Sequence, residues 1–467
     1  MLTRRSVFTS AFATATVGWA GCKHTPPANA FVHGLTAQEP PEPELLRLPD
    51  GFHYVVVQRG GDPMSDGIEV PLQPDGMTCH VDSSGNYILL RNHEMSTAEW
   101  LVRADIDPVP VQTGRPDLGP DDVHGGVARV VINPRILRRE LRKDRRKPSR
   151  AVTWSGLILN KTELNCSGGH TERGWVTCEE SSRDGHGYAY HLYADDTELV
   201  DPDERRLASW GRFKREGIVL DADTGIAYQT EDHNVGCLYR HVPDDPALPF
   251  GSGRLQALRI NGVTHTDRYA DWAQQVDPNP VPLVQGESFD VQWVDIPDAQ
   301  AAGTPTREQG AQRGATLFTR NEGICREPDG KIWFAATSAG PTRSGQLWQL
   351  DPTAQTLTLV YEVQDPSECS LPDNLLVAPW GDLIVAEDNY FATEFVKHNH
   401  LRGLTPDGVL YDIARNEHNF AGTDDAPGAE FAGPCFSPDG RVLFVNMQHP
   451  EAVTVAITGP WPHLQDS

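Results

Sequence analysis

A hairpin-like unit that recurs along the chain constrains the fold more than any other sequence feature. Each copy has a short apolar strand, a turn that contains glycine, and a second strand that ends in polar or acidic residues. Turn residues of this kind between apolar runs are typical of β-hairpins. The copies span residues 75–94, 169–180, 216–232, 322–338, 373–388 and 433–449.

Six hairpins at irregular spacing predict an all-β chain, a six-bladed β-propeller in which each hairpin begins one blade and outer strands complete it. We expect loop or helical insertions between blades, near residues 103–150 and 240–315. The alternative is a β-sandwich whose hairpins resemble one another by coincidence.

Residues 1–30 are typical of an export signal. Arg4 and Arg5 precede a weakly apolar run over residues 9–20, as in twin-arginine signals, and an ordinary Sec signal is the alternative. Cleavage is expected either at the A-x-A site of residues 28–30 or at a lipoprotein box over residues 19–22, which would place a lipid on Cys22. Residues 31–47 are predicted to be a Pro/Glu-rich linker, and residues 48–467 a single β-propeller catalytic domain.

These segments predict a periplasmic protein, or one anchored on the outer side of the cytoplasmic membrane, with an extracellular location as a further alternative. The Tat translocon would be a partner during export. Contact with the membrane would be limited to a lipid on Cys22. We expect a monomer.

The charge of the chain narrows the class of partner. It has 65 acidic residues against 40 lysines and arginines, a formal net charge of −25. Nucleic acid is excluded as a partner because its phosphates require a basic surface. The acidic balance instead favours a protein that holds cations.

The acidic residues fall mainly where the hairpins open. Because a hairpin brings its two open ends together, acids at the start of one strand and the end of the next would converge at one mouth of a propeller channel. Like charges at short range raise one another's pKa, so cations are the simplest means of keeping them ionised, and oxygen-rich clusters suit Ca²⁺. The acids concerned are Asp75, Glu94, Glu179, Glu180, Glu216, Glu231, Asp232, Glu322, Asp373, Glu387 and Asp388.

Cys166 adds a softer donor to this set. It lies in the segment 165–170 (NCSGGH), one hairpin before the acids at 179 and 180. A thiolate among carboxylates indicates a transition metal, iron or zinc, beside the hard ions. The alternative is a disulfide with Cys178 or another cysteine. The chain has eight cysteines, and loss or lipidation of Cys22 would leave an odd number.

Arg320 stands two residues before Glu322. Beside a metal cluster, its guanidinium would suit bidentate binding of a phosphate, whereas its alternative role is to neutralise a neighbouring carboxylate. The sequence has no G-x-S-x-G elbow, no P-loop and no H-E-x-x-H motif. Metal-assisted attack therefore fits better than a serine mechanism.

Several short motifs resemble the PhoX-type alkaline phosphatases, a family of Tat-exported bacterial phosphatases. They appear in the family's order across nearly the whole mature chain, and the NCSGG and TCEE pair is the most specific. They are residues 65–67 (SDG), 74–77 (PDGM), 91–94 (RNHE), 165–169 (NCSGG), 177–180 (TCEE), 320–323 (RNEG) and 436–440 (FSPDG).

The resemblance implies a six-bladed propeller that hydrolyses phosphate monoesters at an iron and calcium cluster, with a metal-bound oxygen as nucleophile. It implies that Cys166 ligates iron, that Arg320 is the catalytic and phosphate-binding residue, and that Asn92 helps to bind substrate. One departure is Asn321, where the family typically has proline. The candidate metal ligands are Cys166, Glu179, Glu180, Glu231, Asp232, Glu322, Glu387 and Asp388.

Two other classes of function stay open at this point. One is a metal-dependent lactonase or other ester hydrolase. The other is a metal-binding propeller without catalytic activity.

Overall fold

The computed structural model describes residues 45–96, 118, 122–143, 149–269, 281–389, 398–417, 430–448 and 452–464. The predicted export signal, the lipoprotein box and most of the predicted linker lie outside these ranges. Among the described residues, no helix is both long enough and apolar enough to cross a bilayer.

The described residues form an all-β structure with few and short helices. In chain order the strands are β1 (Leu46–Arg47), β2 (His53–Arg59), β3 (Pro74–Val81), β4 (Tyr87–His93), β5 (Gly125–Ile132), β6 (Val152–Thr162), β7 (Asn165–Thr171), β8 (Gly174–Glu179), β9 (Ala189–Tyr193), β10 (Arg215–Leu220), β11 (Ala227–Glu231), β12 (Tyr239–Pro243), β13 (Gly253–Ile260), β14 (Ser288–Asp295), β15 (Asn321–Arg326), β16 (Ile332–Ala336), β17 (Gln346–Asp351), β18 (Thr356–Glu362), β19 (Pro372–Val377), β20 (Leu383–Glu387), β21 (His400–Leu404), β22 (Leu410–Asn416), β23 (Phe431–Phe436), β24 (Leu443–Met447) and β25 (Val453–Thr458). The helices are α1 (Pro134–Leu141), α2 (Pro202–Arg205) and α3 (Thr306–Gln312), with 3-10 turns at Ala208–Trp210 and Pro462–Leu464.

All six predicted hairpins are antiparallel strand pairs. They are β3–β4, β7–β8, β10–β11, β15–β16, β19–β20 and β23–β24. We call the first member of each pair an inner strand and the second member a second strand. Outer strands extend the pairs into five sheets, ordered β3-β4-β5-β6, β7-β8-β9, β10-β11-β12-β13-β14-β18-β17-β16-β15, β19-β20-β21-β22-β1 and β23-β24-β25-β2.

The inner strands surround a central channel in a propeller-like arrangement. Each inner strand contacts the next one along the chain, and β23 contacts β3, so that the ring is closed. These contacts are close because glycines face neighbouring backbone. A Cβ atom on Gly323 would lie 2.0 Å from the carbonyl oxygen of Asp373, and one on Gly76 would lie 2.7 Å from the Cα of Ser167. Side chains larger than hydrogen would therefore push the strands apart.

The two ends of the described chain meet in the last sheet. Strand β2 pairs antiparallel with β25, so an N-terminal strand completes the sheet that β23 begins. Strand β1 adds to β22 in the preceding sheet. Leu46–Arg47, which the sequence placed in the linker, thus belongs to the folded domain.

Much of the two predicted insertions consists of outer strands. The described part of residues 103–150 holds β5 and α1, and residues 240–315 hold β13, β14 and α3. The inner and second strands are buried along most of their length, as expected for sheets that pack against neighbours on both faces. Large aromatic side chains, Trp210, Trp348 and Trp461 among them, fill the space between sheets.

Candidate metal centre

Every inner hairpin is closed by the same backbone hydrogen bond. The residue that follows the second strand donates its N–H to the carbonyl oxygen of the residue that precedes the inner strand, over 2.8–3.1 Å. This bond places the first residues after all six second strands at one end of the channel. These residues are Glu94, Glu180, Asp232, Thr337, Asp388 and Gln448.

A bulge at the start of the inner strands brings further groups to the same end. In β3, β7, β10, β15 and β19 the ladder pairs the first residue, skips two, and resumes at the fourth. A bulge breaks the regular alternation of side chains and can re-aim one of them. The second residues of these strands are Asp75, Cys166, Glu216, Glu322 and Asp373.

We call the end of the channel where these two sets meet the acidic mouth. Charge–charge repulsion acts among nine carboxylates of the described residues there, which include Glu430, the residue that precedes β23. Most of the group is buried: Asp75, Glu216, Glu322 and Asp373 are each at most 4% exposed.

Burial and mutual repulsion disfavour the ionised form of these acids. Burial, followed by the charge of Glu180, raises the pKa of Asp75 to about 7. Burial, followed by the charge of Asp75, raises the pKa of Glu94 to about 8. Burial is also the main cause that holds the pKa well above its ordinary value for Glu180, Glu216, Glu322, Asp373, Asp388 and Glu430.

Asp232 behaves differently because two cations face it. Arg320 Nε lies 3.0 Å from Asp232 Oδ1, and Lys214 Nζ lies 3.1 Å from Asp232 Oδ2. Burial acts to raise the pKa of Asp232, but Arg320 and Lys214 outweigh it and hold the pKa well below its usual value. Arg320 also pairs with Glu322, and Lys214 with Glu180.

Cys166 lies among these acids and is 1% exposed. Its Sγ and one carboxylate oxygen each from Glu180 and Glu216 lie within 4.8 Å of one another. Its thiol donates to the carbonyl oxygen of Arg215 at 3.3 Å, and burial followed by Glu216 keeps its pKa well above the usual value. Both Cys166 and Cys178, its alternative disulfide partner, are free thiols in this structure.

The chemistry of the acidic mouth fits bound metal ions. Buried polar atoms are normally hydrogen-bonded, so buried oxygens without a donor indicate a missing electropositive partner. Within the part of the chain that the structure describes, such oxygens occur on Asp75, Glu216, Asp373, Asp388 and Gln448. Hard oxygens with one soft sulfur nearby would suit hard cations on the carboxylates and a transition metal near Cys166.

The structure brings together Cys166, Glu180, Asp232, Glu322, Asp388 and Arg320 from the predicted site, but it places three predicted metal ligands elsewhere. Glu179, Glu231 and Glu387 are the last residues of their second strands, and successive side chains of a strand point to opposite faces. The side chain of each therefore contacts residues of its own sheet or the loops beside it, while the acid that follows it lies at the acidic mouth.

Hydrogen bonds occupy the carboxylates of these three acids. Glu179 accepts from the backbone N–H of Gly187 at 2.8 Å and from the ring of His186 at 2.7 Å. Glu231 accepts from the Tyr239 hydroxyl at 2.7 Å, and Glu387 accepts from Arg402 Nε at 2.9 Å. These contacts tie each hairpin to the rest of its sheet and engage the carboxylates that the sequence predicted to bind metal.

Asn92, predicted to bind substrate, is fully buried and uses its amide to position the Cys166 segment. Its Nδ2 donates to the carbonyl oxygens of Cys166 at 2.8 Å and Ser167 at 2.7 Å. Its Oδ1 accepts from Trp175 Nε1 at 2.9 Å. Asn92 thus fixes the backbone that carries the Cys166 thiol.

The acidic mouth holds groups that the predicted site omitted. The sequence pattern could have included Asp75, Glu94, Glu216 and Asp373, because each lies at the open end of a hairpin. Lys214 could have been found by aligning the hairpins, because it precedes β10 as Arg320 precedes β15. Glu430 and Gln448 belong to β23–β24, the one hairpin with no acid either at the second residue of its inner strand or directly after its second strand, so the pattern gave no sign of them.

A family model described as "Alkaline phosphatase PhoX" matches residues 33–451 of the chain. Among solved structures, PhoX of Pseudomonas fluorescens in complex with vanadate, a transition state analogue, is 17% identical, with a TM-score of 0.63, over 91% of this chain and 98% of that one. A gluconolactonase from Xanthomonas campestris is 12% identical, with a TM-score of 0.37, over 91% of this chain and 97% of that one. No curated protein matches the chain by sequence.

Proposed function

Because the chain belongs to the alkaline phosphatase PhoX family, we propose that it is a metal-dependent phosphatase that hydrolyses phosphate monoesters at the acidic mouth. The observation that carries the proposal is one arrangement: a buried thiol and nine described carboxylates share one end of the channel with a partly exposed guanidinium, which pairs with two of those carboxylates. Such a site can hold several cations and still present a positive group to an anionic substrate.

Part of the proposal concerns the fold. We count six blades, one for each inner strand, and assign the two halves of the nine-stranded sheet to separate blades that join through β14 and β18. Closure of the ring through the contact of β23 with β3 supports this count.

We propose iron and calcium as the bound ions. Cys166, Glu180 and Glu216 would hold iron, since their ligand atoms converge and one of them is a thiol. The remaining acids would hold calcium through carboxylate oxygens. Bound cations would attract the phosphate oxygens. They would also stabilise the negative charge that develops as the ester bond breaks.

The side chains of the chain itself would bind and orient the substrate. Arg320 is held from several directions: its backbone is left-handed, with a φ of 52°, and its N–H donates to the carbonyl oxygen of His233 at 2.9 Å. Its guanidinium is fixed by Asp232 and Glu322. These contacts engage Nε and Nη2, so Nη1 would donate to a phosphate oxygen from a guanidinium whose side-chain freedom is already restricted.

Arg320→Ala tests this role. We expect turnover of p-nitrophenyl phosphate to fall by about a hundredfold or more, because one preorganised donor to the transition state is lost. Arg183→Ala is a matched control, since Arg183 pairs with Glu163 outside the acidic mouth and is half exposed. Unchanged turnover in Arg320→Ala would contradict the proposal, as would a wild-type protein that hydrolyses lactones and no phosphate ester.

Export is a further part of the proposal. The twin arginines at positions 4 and 5 support delivery of the folded protein through the Tat system to the periplasm, free or lipid-anchored. Replacing both arginines with lysine should retain the protein in the cytoplasmic fraction. Normal export of that variant would contradict this part.

A further inference from the structure

Lys214 occupies the position in its hairpin that Arg320 occupies in the next one. Each directly precedes an inner strand, and each is followed two residues later by a glutamate of the acidic mouth, Glu216 or Glu322. The carbonyl oxygen of Lys214 accepts the closing backbone hydrogen bond at 3.1 Å, and that of Arg320 accepts it at 2.8 Å. The two cations are therefore structural equivalents in adjacent units of the ring.

Their ion pairs repeat as well. Each cation reaches the acid that follows the second strand of the preceding hairpin: Lys214 reaches Glu180, and Arg320 reaches Asp232 at 3.0 Å. Lys214 also lies 3.1 Å from Asp232, on the other carboxylate oxygen from the one that Arg320 Nε contacts. Asp232 thus holds the two cations side by side.

No other hairpin has a cation at this position. The four equivalent residues are Gln73, Leu164, Leu371 and Glu430. Among the residues that directly precede the six inner strands, positive charge therefore occurs only in these two adjacent hairpins. The side chains of Lys214 and Arg320 are 35% and 28% exposed, whereas those of Glu180 and Asp232, with which they pair, are 14% and 8% exposed. The two cations are thus more accessible to solvent than the acids that hold them.

We propose that Lys214 is a second phosphate-binding residue, which receives the substrate together with Arg320; this inference rests on the proposed phosphatase function. A phosphate monoester carries close to two negative charges at neutral pH, and two adjacent cations match it. The arginine supplies a donor held in a fixed plane, and the lysine supplies a compact point charge on a flexible stem. Asp232 would keep both groups oriented before the substrate binds.

The simpler role for Lys214 is to neutralise Glu180, and the two roles predict different results for Lys214→Gln. If Lys214 binds phosphate, the KM for p-nitrophenyl phosphate and the inhibition constant of orthophosphate should both rise by about tenfold or more, the equivalent of ~1.4 kcal/mol. The iron and calcium content should stay at the wild-type level. Lys214→Arg, which keeps the charge, should recover most of the phosphate affinity.

Two results would overturn the inference. One is a Lys214→Gln variant with full metal content and unchanged KM and orthophosphate inhibition. The other is a fall in metal content that accounts for the whole loss of activity, which would assign Lys214 to neutralisation alone. Arg183→Gln is the control for general electrostatic attraction, and it should leave both constants unchanged.

Direct binding of orthophosphate, measured by calorimetry, separates this inference from the proposed function. A wild-type protein that binds orthophosphate but hydrolyses no ester would refute the phosphatase proposal, and weaker binding by Lys214→Gln would still support the role of Lys214. A wild-type protein that neither binds orthophosphate nor hydrolyses an ester would refute both.

Discussion

The same inner strands build both ends of the central channel, yet the two ends carry different side chains. The acidic mouth collects carboxylates, a thiol and two cations. The other end opens into a cavity of about 1060 Å³ whose lining includes Thr78, Cys79, His80, His170 and Phe436. The rings of His80 and His170 stack there at 4.7 Å, and burial followed by the charge of His80 lowers the pKa of His170 to about 4.

The difference shows that the position of a residue along an inner strand determines which chemical environment its side chain enters. All inner strands begin at the acidic mouth, so their second residues share one environment, and residues two to four positions later share the other. Among the described residues, the only grouping of three ligand-type atoms close enough for one metal ion lies at the acidic mouth. Substitutions of the same residue type at the two ends should therefore have different effects.

The largest contrast is expected between two cysteines of the inner strands. Cys166→Ala should lose iron and at least about a hundredfold in phosphatase activity, because removal of a direct ligand should cost more than removal of a supporting residue. Cys325→Ala, at the other end of the channel, should retain both, since Cys325 is a buried thiol among apolar side chains. Elemental analysis and p-nitrophenyl phosphate assays of the two variants measure the contrast. Equal losses would contradict it.

Adjacent acids at the end of β8 give the next contrast. Glu180→Gln should lower metal content and activity with little effect on folding, because its carboxylate faces the acidic mouth. Glu179→Gln should instead lower the free energy of unfolding by about 1–3 kcal/mol, since it weakens hydrogen bonds to buried donors. Denaturant unfolding of the metal-loaded proteins, with metal analysis, tests both variants. A Glu179→Gln variant that loses metal but not stability would reverse the assignment.

A smaller effect is expected from Asn92→Ala. Asn92 holds the backbone of Cys166 and Ser167 and touches no proposed metal ion, so its loss should weaken metal binding by about 10–100-fold, as for other residues that support a ligand. Titration of the metal-depleted variant with iron should show this shift. If activity falls while iron affinity is unchanged, Asn92 contacts the substrate, as the sequence predicted.

The smallest effect is expected from Thr78→Val, which removes the hydroxyl that lies 2.7 Å from His170 Nδ1 at the other end of the channel. Stability should fall by about 1 kcal/mol, a typical value for one hydrogen bond, and activity should not change. Thermal unfolding and the standard assay suffice. A large loss of activity would show that the two ends are coupled.

Sequence alone was sufficient for the strand pairs and for the end of the channel where acids gather. Both depend on local patterns: turn residues, apolar runs, and the closing of a hairpin. It was not sufficient to choose between neighbouring acids, because Glu179 and Glu180 differ only in strand phase, and the second strand ends between them. A shift of one residue in that boundary would exchange their roles.

Other features depended on contacts that no local pattern contains. Leu46–Arg47 is a strand only because β22 offers it an edge. Asn92 supports Cys166 from 74 residues away, through a hydrogen bond that the spacing of the motifs does not predict. Lys214 was the exception, since the alignment of hairpins that located the acids would also have located this lysine.

The proposed function depends on metal binding at the acidic mouth through Cys166 and the carboxylates around it. Elemental analysis of the protein purified from its own cells, in parallel with Cys166→Ala, tests this most directly. We expect stoichiometric iron and calcium in the wild-type protein, and loss of iron with the phosphatase activity in the variant. Full phosphatase activity in wild-type protein with only trace amounts of either metal would contradict it.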